Sequence, residues 1–139
     1  MKEPIDYLST LFVGIDIASR IHVISALDFN EEFYIKMKPV ENTREGAALM
    51  EQMISDVLEH NHLFKYVVIG MEATGFYGVH LANYLSASDL LAPFSVYWLI
   101  SCFIVMAPDV TIRFIRTVAM VTAPQLQQSL CYCQESMQP

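Results

Sequence analysis

Alternation of apolar and polar side chains predicts three β-strands near the start of the chain. Residues 11–17 form an apolar run that is interrupted only by Gly14 and Asp16, and residues 22–28 alternate between two sets of side chains. Residues 33–38 alternate in the same way, which is typical of a half-exposed strand at a sheet edge. Because only short links separate the three runs, we expect an antiparallel meander. The residues expected to share one face of the third strand are Phe33, Ile35 and Met37.

The spacing of apolar residues changes to a helical period after the third strand. Asn42 is expected to cap this helix, and Glu45, three residues later, can complete a capping box. His60 and Asn61 are expected to end it. The apolar stripe of the predicted helix consists of Ala47, Met50, Met53, Ile54, Val57 and Leu58.

A second strand–helix unit follows. Residues 66–71 are continuously apolar and rich in β-branched side chains, as expected for a strand that is covered on both faces. Residues 75–85 predict a second helix, and a further strand is expected to begin within residues 93–97. The predicted fold class is therefore α/β: a mixed sheet, in the order β-β-β-α-β-α-(β), with helices packed on it.

Two acidic residues lie where a strand should be buried. Asp16 interrupts the first apolar strand, and Glu72 follows the central strand. A charge beside buried strand positions is unfavourable unless it is paired or bound to a metal ion. If the two strands are neighbours, both carboxylates could face one Mg²⁺ ion, which prefers oxygen ligands. The alternative is that each acid merely ends its strand, because Asp and Glu are common there.

Several segments resemble the amino-terminal domain of the insertion sequence 110 transposase family, a DEDD-type group. They are residues 13–19 (V-G-I-D-I-A-S), 70–77 (G-M-E-A-T-G-F-Y) and 81–85 (L-A-N-Y-L). Residues 42–46 (N-T-R-E-G) resemble the start of the family's intervening helix. The second segment is specific, whereas the G-I-D-I letters of the first also open actin-like ATPases and sugar kinases. The resemblance spans residues 11–97.

The resemblance implies a ribonuclease-H-like (RuvC-like) fold, here incomplete, with an ancestral role in Mg²⁺-dependent DNA cleavage and strand transfer during transposition. It implies that Asp16 and Glu72 are the first two of four catalytic, metal-binding carboxylates. Intact relatives are expected to form multimers and to act on insertion-sequence ends and target DNA, guided by an RNA that the element encodes. Self-association, or association with intact transposase, is therefore expected.

The resemblance stops near residue 97. The family's other two acids follow the pattern K-x-D-x-x-D-A, which residues 98–139 do not contain; Asp109 has Ile112 three positions later. The family's serine-bearing second domain is also missing from this sequence. We therefore expect residues 1–97 to be a truncated RuvC-like domain and residues 98–139 to be an apolar tail without family resemblance. The hypothesis we favour for this tail is that it is read out of frame. Such a chain should be inactive in strand transfer by itself, so whether it is an enzyme stays open.

The charge distribution supports a boundary at the same place. Residues 1–97 hold 13 acidic and 6 basic side chains, whereas residues 98–139 hold two of each. The net charge of −7 is unfavourable for a free-standing DNA-binding protein, because phosphate contacts need clustered Lys and Arg. Contact with nucleic acid would need basic surface from another domain, another subunit or a metal ion.

The cysteines and the start of the chain bear on localisation. Cys102, Cys131 and Cys133 cannot form a small-domain disulfide framework, and reduced thiols are expected. Residues 1–9 are polar and charged, without the apolar stretch of a secretory signal. We therefore expect a cytoplasmic protein.

Three other functions stay open. The chain could be a non-catalytic remnant that binds intact transposase through its sheet edge. It could be a small membrane protein anchored by residues 90–108, which carry no charge, although Pro93 and small polar residues shorten that span and no membrane partner is expected. An actin-like or sugar-kinase fragment rests only on residues 14–16 and lacks a second glycine-rich phosphate loop.

Overall fold

A computed structural model describes residues 6–72, 77–101 and 119–121. The described elements follow the predicted order of three strands, a helix, a strand, a second helix and a further strand, and β6 then completes the sheet. A 3₁₀ turn at Tyr7–Ser9 precedes them. They are β1 (Thr10–Asp16), β2 (Ile21–Leu27), β3 (Phe33–Glu41), α1 (Arg44–His60), β4 (Tyr66–Glu72), α2 (Val79–Ser86), β5 (Ser95–Ser101) and β6 (Ala119–Val121).

The strands form one mixed sheet in the order β3-β2-β1-β4-β5-β6. β1, β2 and β3 pair as the predicted antiparallel meander. β4 pairs with β1 in parallel, and β5 pairs with β4 in parallel. Parallel neighbours need a crossover connection, and α1 and α2 supply these connections. This strand order and the two crossover helices are those of a ribonuclease-H-like fold, which confirms the expected fold class.

The core lies between one face of the sheet and the two helices. Alternate residues of β1 are buried, and so are alternate residues of β2, as the period of a strand requires. The predicted stripe of α1 packs onto this face, with Met50 and Ile54 fully buried and Met53 and Val57 partly buried. α2 adds Leu81, Ala82 and Leu85 to the same cluster.

The central strand β4 is buried on both of its faces, as predicted. Val67 and Ile69 have no exposed surface, and Val68, which points to the opposite side, is only 5% exposed. A strand that pairs on both edges and is covered on both faces has no solvent-facing position for polar side chains. This explains why its sequence is an uninterrupted apolar run.

The start of α1 differs from the prediction by one residue. Thr43, not Asn42, is the N-cap, and its hydroxyl accepts a hydrogen bond from the Gly46 backbone N–H at 3.0 Å. Asn42 is instead used in the chain connection: its side-chain amide donates to the Ser19 carbonyl at 3.2 Å. Both residues are good caps by type, so the sequence pattern did not distinguish them. The end of α1 at His60, with Asn61 as C-cap, was predicted correctly.

The third strand departs from simple alternation. Ile35 is buried as predicted, but Met37 is 70% exposed and Phe33 is 48% exposed. Met37 has a positive φ of 46°, and the pairing of β2 with β3 shifts register beside it. Such a bulge reverses the facing of the residues that follow it. Together with Pro39, the bulge also makes this sheet edge a poor template for pairing with another strand.

The region after Glu72 also differs from the prediction. α2 begins at Val79 and not at residue 75, and residues 73–76 lie outside the described part of the chain. β5 crosses residue 97 and continues to Ser101, so the candidate membrane anchor at residues 90–108 contains a sheet strand. Within the described ranges, no helix combines the length and apolarity that crossing a membrane requires. Asp109 and the three cysteines lie outside the described residues, and the division at residue 97 stays a prediction.

Candidate metal centre

The two candidate acids are the last residues of neighbouring parallel strands. Asp16 ends β1 and Glu72 ends β4. The register of the two strands pairs Ile15 with Met71, so the next residue of each strand is one of the acids. Adjacent strands lie about 4.8 Å apart, which places the two backbones within reach of one shared ion. The sheet therefore brings together the two positions that the sequence singled out.

The side chain of Asp16 faces solvent and does not pack in the core. It is exposed, whereas Ile15 and Ile17 on either side are buried beneath the helices. Its side chain makes no hydrogen bond or ion pair with the residues that the structure describes. Because strand residues alternate, Asp16 points away from the helical layer. Its carboxylate is thus available to a ligand from solvent.

The face of the sheet beside Asp16 is open at Gly14. Gly14 pairs with Ser25 on β2 and with Gly70 on β4. A Cβ atom built on Gly14 would meet no described atom within 4 Å. Small residues at this position of two adjacent strands leave open space next to the acid. The sheet face beside Asp16 is therefore unobstructed by described atoms.

Hydrogen bonds from β2 and from the β3–α1 connection hold the turn after Asp16. The Ala18 backbone N–H donates to Nδ1 of His22 at 3.2 Å. The Asn42 backbone N–H donates to the Arg20 carbonyl at 2.8 Å, and its side chain bonds Ser19. These contacts fix the chain direction immediately beyond the acid. They give Asp16 a defined position even though its own side chain is unpaired among the described residues.

Sequence reasoning missed the role of His22 and misassigned Asn42. His22 is 1% exposed and occupies an inward-facing position of β2, beside Ile24 and Ala26. A polar ring at a buried position of an otherwise apolar strand face was the available signal. For Asn42, the signal was the N-T-R-E-G segment, which the prediction used only as a capping motif.

A hydrogen-bonded cluster secures α2, the helix that follows Glu72 along the chain. The hydroxyl of Tyr84 donates to Oε2 of Glu51 on α1 at 3.1 Å, and the Ser88 hydroxyl donates to the other oxygen of the same carboxylate. The hydrogen bond to Glu51, followed by burial, raises the pKa of Tyr84 above its ordinary value. One acidic side chain of α1 thus holds the last turn of α2 and the residue two positions beyond the helix.

The ligand chemistry fits a hard cation but does not complete its coordination shell. Carboxylate oxygens are ligands that Mg²⁺ prefers, and two acids end at one sheet edge. Within the described ranges, however, no group of three or more His, Cys, Asp or Glu residues could hold a metal ion. An ion bound by Asp16 and Glu72 would keep most of its coordination positions for water or for substrate. Asp16 and Glu72 therefore suit a Mg²⁺ ion chemically but supply only part of the ligands that it needs.

Comparison with known proteins identifies the family of this domain. A family model described as transposase, the DEDD transposase of insertion sequence 110 type, matches residues 13–96. No curated protein matches the chain. The matched region begins within β1 and ends within β5, so it contains both candidate acids and the strands that carry them. A transposase domain implies interaction with DNA, and the family suggests a divalent metal cofactor. The chain belongs to the DEDD transposase family of insertion sequence 110 type.

Proposed function

We propose that Asp16 and Glu72 are half of a Mg²⁺ site for DNA cleavage and strand transfer in transposition. The observation that carries this proposal is the parallel register of β1 and β4, which ends both strands in an acid at the same edge. A bound Mg²⁺ ion supplies Lewis-acid polarisation of a phosphodiester and lowers the pKa of coordinated water. The part proposed for the protein is to bring Asp16 and Glu72 together at the ends of adjacent strands, beside a sheet face that a DNA backbone can approach.

We further propose that this chain does not cleave DNA by itself. Two carboxylates leave most of an octahedral Mg²⁺ shell to water, and a pair of ions would be held weakly. The net charge of −7 weakens contact with a long DNA backbone, because most of an acidic surface repels phosphates, so the chain alone can offer only local phosphate contacts. The chain would then be a truncated transposase whose activity requires acids and basic surface from elsewhere. Guide RNA and intact transposase are the partners expected for it.

The first experiment tests the metal site directly. Mn²⁺ added to the ¹⁵N-labelled protein should broaden the amide signals of residues near Asp16 and Glu72 before others, because paramagnetic relaxation falls steeply with distance. Asp16→Asn should abolish the selective broadening. Glu59→Gln is the matched control, since Glu59 is an exposed acid near the end of α1. Broadening that is spread over all acidic residues, or that persists in Asp16→Asn, would contradict the proposed site.

The second experiment tests catalysis. Supercoiled plasmid is incubated with the protein and Mg²⁺ or Mn²⁺, and nicked and linear products are separated on a gel. We expect no cleavage above a protein-free control. Cutting by the wild type that disappears in Asp16→Ala would show that this chain is active alone, and it would overturn the proposed dependence on other subunits.

We also propose that residues 98–139 are read out of frame. The support is the loss of family resemblance together with the loss of charge at the same point. The flanking gene sequence tests this proposal. A K-x-D-x-x-D-A pattern should occur downstream in another reading frame, and its absence from both other frames would refute the frame change.

A further inference from the structure

A cavity of about 600 Å³ lies at the same end of the sheet as Asp16 but on the helical side. β2 and β3 form its floor, and the first turn of α1 and the helix α2 form its walls. Val23, the neighbour of His22 on β2, pairs with Asp16, so only the thickness of the sheet separates the cavity from the candidate acids. Its lining includes His22, Glu41, Arg44, Met50, His80 and Tyr84.

His22 supplies a buried donor that needs an acceptor. Its Nδ1 accepts the Ala18 N–H, so the proton of the neutral ring is on Nε2. Nε2 is buried and has no hydrogen-bond partner among the described residues. Buried donors are nearly always paired with protein, water or ligand. Because His22 lines the cavity, an acceptor held there is the candidate partner for this N–H.

Other donors of positive character surround the same space. α1 has 17 residues and begins at the cavity with Arg44, so its free amide groups and its dipole favour an anion there. The Arg44 side chain adds a guanidinium, and His80 adds an imidazole from the first turn of α2. Helix terminus, guanidinium and buried imidazole N–H together form a pattern that matches a phosphate group.

The rest of the lining limits what can enter. Met50 and the ring of Tyr84 form an apolar wall, which leaves room for a sugar or a base beside the anion. Glu41 also lines the cavity and would repel a highly charged ligand. The cavity is therefore better suited to one phosphate of low charge, such as a phosphodiester, than to a free polyphosphate.

We propose that this cavity binds a single phosphate group, supplied by a nucleic-acid strand that crosses the acid-bearing end of the sheet. That the phosphate comes from a nucleic-acid strand rests on the proposed function. That the ligand is a phosphate is argued only from the residues that line the cavity. A nucleic-acid strand bound in this way would have one phosphate in the cavity, on the helical side of the sheet. Its neighbouring nucleotides would cross the end of the sheet towards Asp16 on the opposite side. Inorganic phosphate is the alternative source with the same chemistry.

The test is an NMR titration of the whole chain in the presence of a metal chelator, with two separate ligands: a short single-stranded oligonucleotide and inorganic phosphate. We expect the oligonucleotide to shift the signals of His22, Arg44 and His80. Arg44→Gln should weaken binding about tenfold, because a charge-assisted hydrogen bond is lost. Glu41→Gln should strengthen binding. Lys65→Gln is the matched control for loss of one positive charge, since Lys65 is exposed and lies at the opposite end of β4.

Each outcome decides the proposal. Oligonucleotide binding that is weakened in Arg44→Gln but not in Lys65→Gln supports it with the strand as source, and the same result with inorganic phosphate alone supports it with free phosphate as source. No shift of cavity residues with either ligand, or equal weakening in both variants, overturns it; a buried water would then be the partner of His22. The chelator removes divalent ions, so a failure of the acid pair to bind Mg²⁺ leaves this result unaffected.

Discussion

Nδ1 of His22 accepts a hydrogen bond from the backbone N–H of Ala18 at 3.2 Å, across the turn that joins β1 to β2. This contact fixes the chain two residues beyond Asp16, and it sets which ring nitrogen carries the proton. One buried side chain thereby connects the candidate acid site on one side of the sheet with the cavity on the other.

Replacement of His22 tests the structural part of this relationship. His22→Phe keeps an aromatic ring but removes the acceptor of the Ala18 N–H, so the free energy of unfolding should fall by about 0.5–1.5 kcal/mol, the usual net value of one hydrogen bond. Urea denaturation followed by circular dichroism measures the change. His62→Phe is the control, because His62 is exposed in the loop after α1 and should change stability by less than about 0.5 kcal/mol. Equal stability of both variants would show that the hydrogen bond contributes little.

The two glycines Gly46 and Gly14 should respond oppositely to the same substitution. A Cβ on Gly46 would collide with the backbone carbonyl of Glu41, whereas a Cβ on Gly14 meets no described atom within 4 Å. Gly46→Ala should therefore destabilise the protein by about 1–3 kcal/mol. Gly14→Ala should be neutral or stabilise by up to about 1 kcal/mol, since it restricts the unfolded chain. Thermal unfolding of the two variants checks the prediction, which fails if they rank in the reverse order.

The Glu51 cluster predicts a loss of stability at high pH. The hydrogen bond to Glu51, and then burial, raise the pKa of Tyr84 above the ordinary tyrosine value of about 10. Burial, and then the hydrogen bond to Asp28, raise the pKa of Tyr34. A raised folded-state pKa means that the fold favours the protonated phenol. The resulting stabilisation is complete below pH 10 and is lost as pH rises through the raised values.

Tyrosinate absorbance during an alkaline titration measures this effect. Glu51→Gln should lower the pKa of Tyr84 towards its ordinary value, and Tyr84→Phe should identify the corresponding step in the curve. Tyr34→Phe serves as the comparison, because its partner Asp28 lies in a different part of the fold. An unchanged alkaline titration in Glu51→Gln would exclude the assigned cause.

Asp16 should reduce stability when no cation is present. Like charges on neighbouring strands repel, and the Asp16 side chain forms no compensating bond with the described residues. Asp16→Asn should therefore leave the melting temperature unchanged or raise it slightly in a metal-free buffer. Added Mg²⁺ should raise the melting temperature of the wild type but not that of the variant, because an ion that binds only the folded state stabilises it. The same Mg²⁺ response in both proteins would exclude Asp16 as a ligand.

The pattern of apolar and polar residues predicted most of the described elements, because the repeat of a strand or helix acts over only a few neighbouring residues. The alternation in β2, the apolar run of β4 and the stripe of α1 each follow from the repeat of one element and its burial. The errors occurred where a distant contact competes with a local preference. Asn42 is a good cap by type, but its hydrogen bonds to Ser19 and Arg20 move the cap to Thr43. Simple alternation along β3 would place Met37 on the same face as Ile35, but the bulge turns its side chain outward.

In the candidate site, too, local patterns predicted some features, and contacts between distant segments decided the others. The sequence singled out Asp16 and Glu72 because acids are rare next to buried strand positions, and the family resemblance gave them a role. It did not indicate the cavity, because His22, Arg44 and His80 are far apart in the chain and each is unremarkable in its own segment. Their convergence depends on how β2, α1 and α2 pack.

The sequence by itself determined the type and order of the elements from β1 to β5, most of their apolar faces and the two acids that stand out beside them, since these depend on short-range periodicity. Only the tertiary structure decided that β1 and β4 are parallel neighbours in a register that aligns the two acids. The physical reason is that strand pairing is set by hydrogen bonds and packing between segments some fifty residues apart, and no local pattern in either segment specifies its partner.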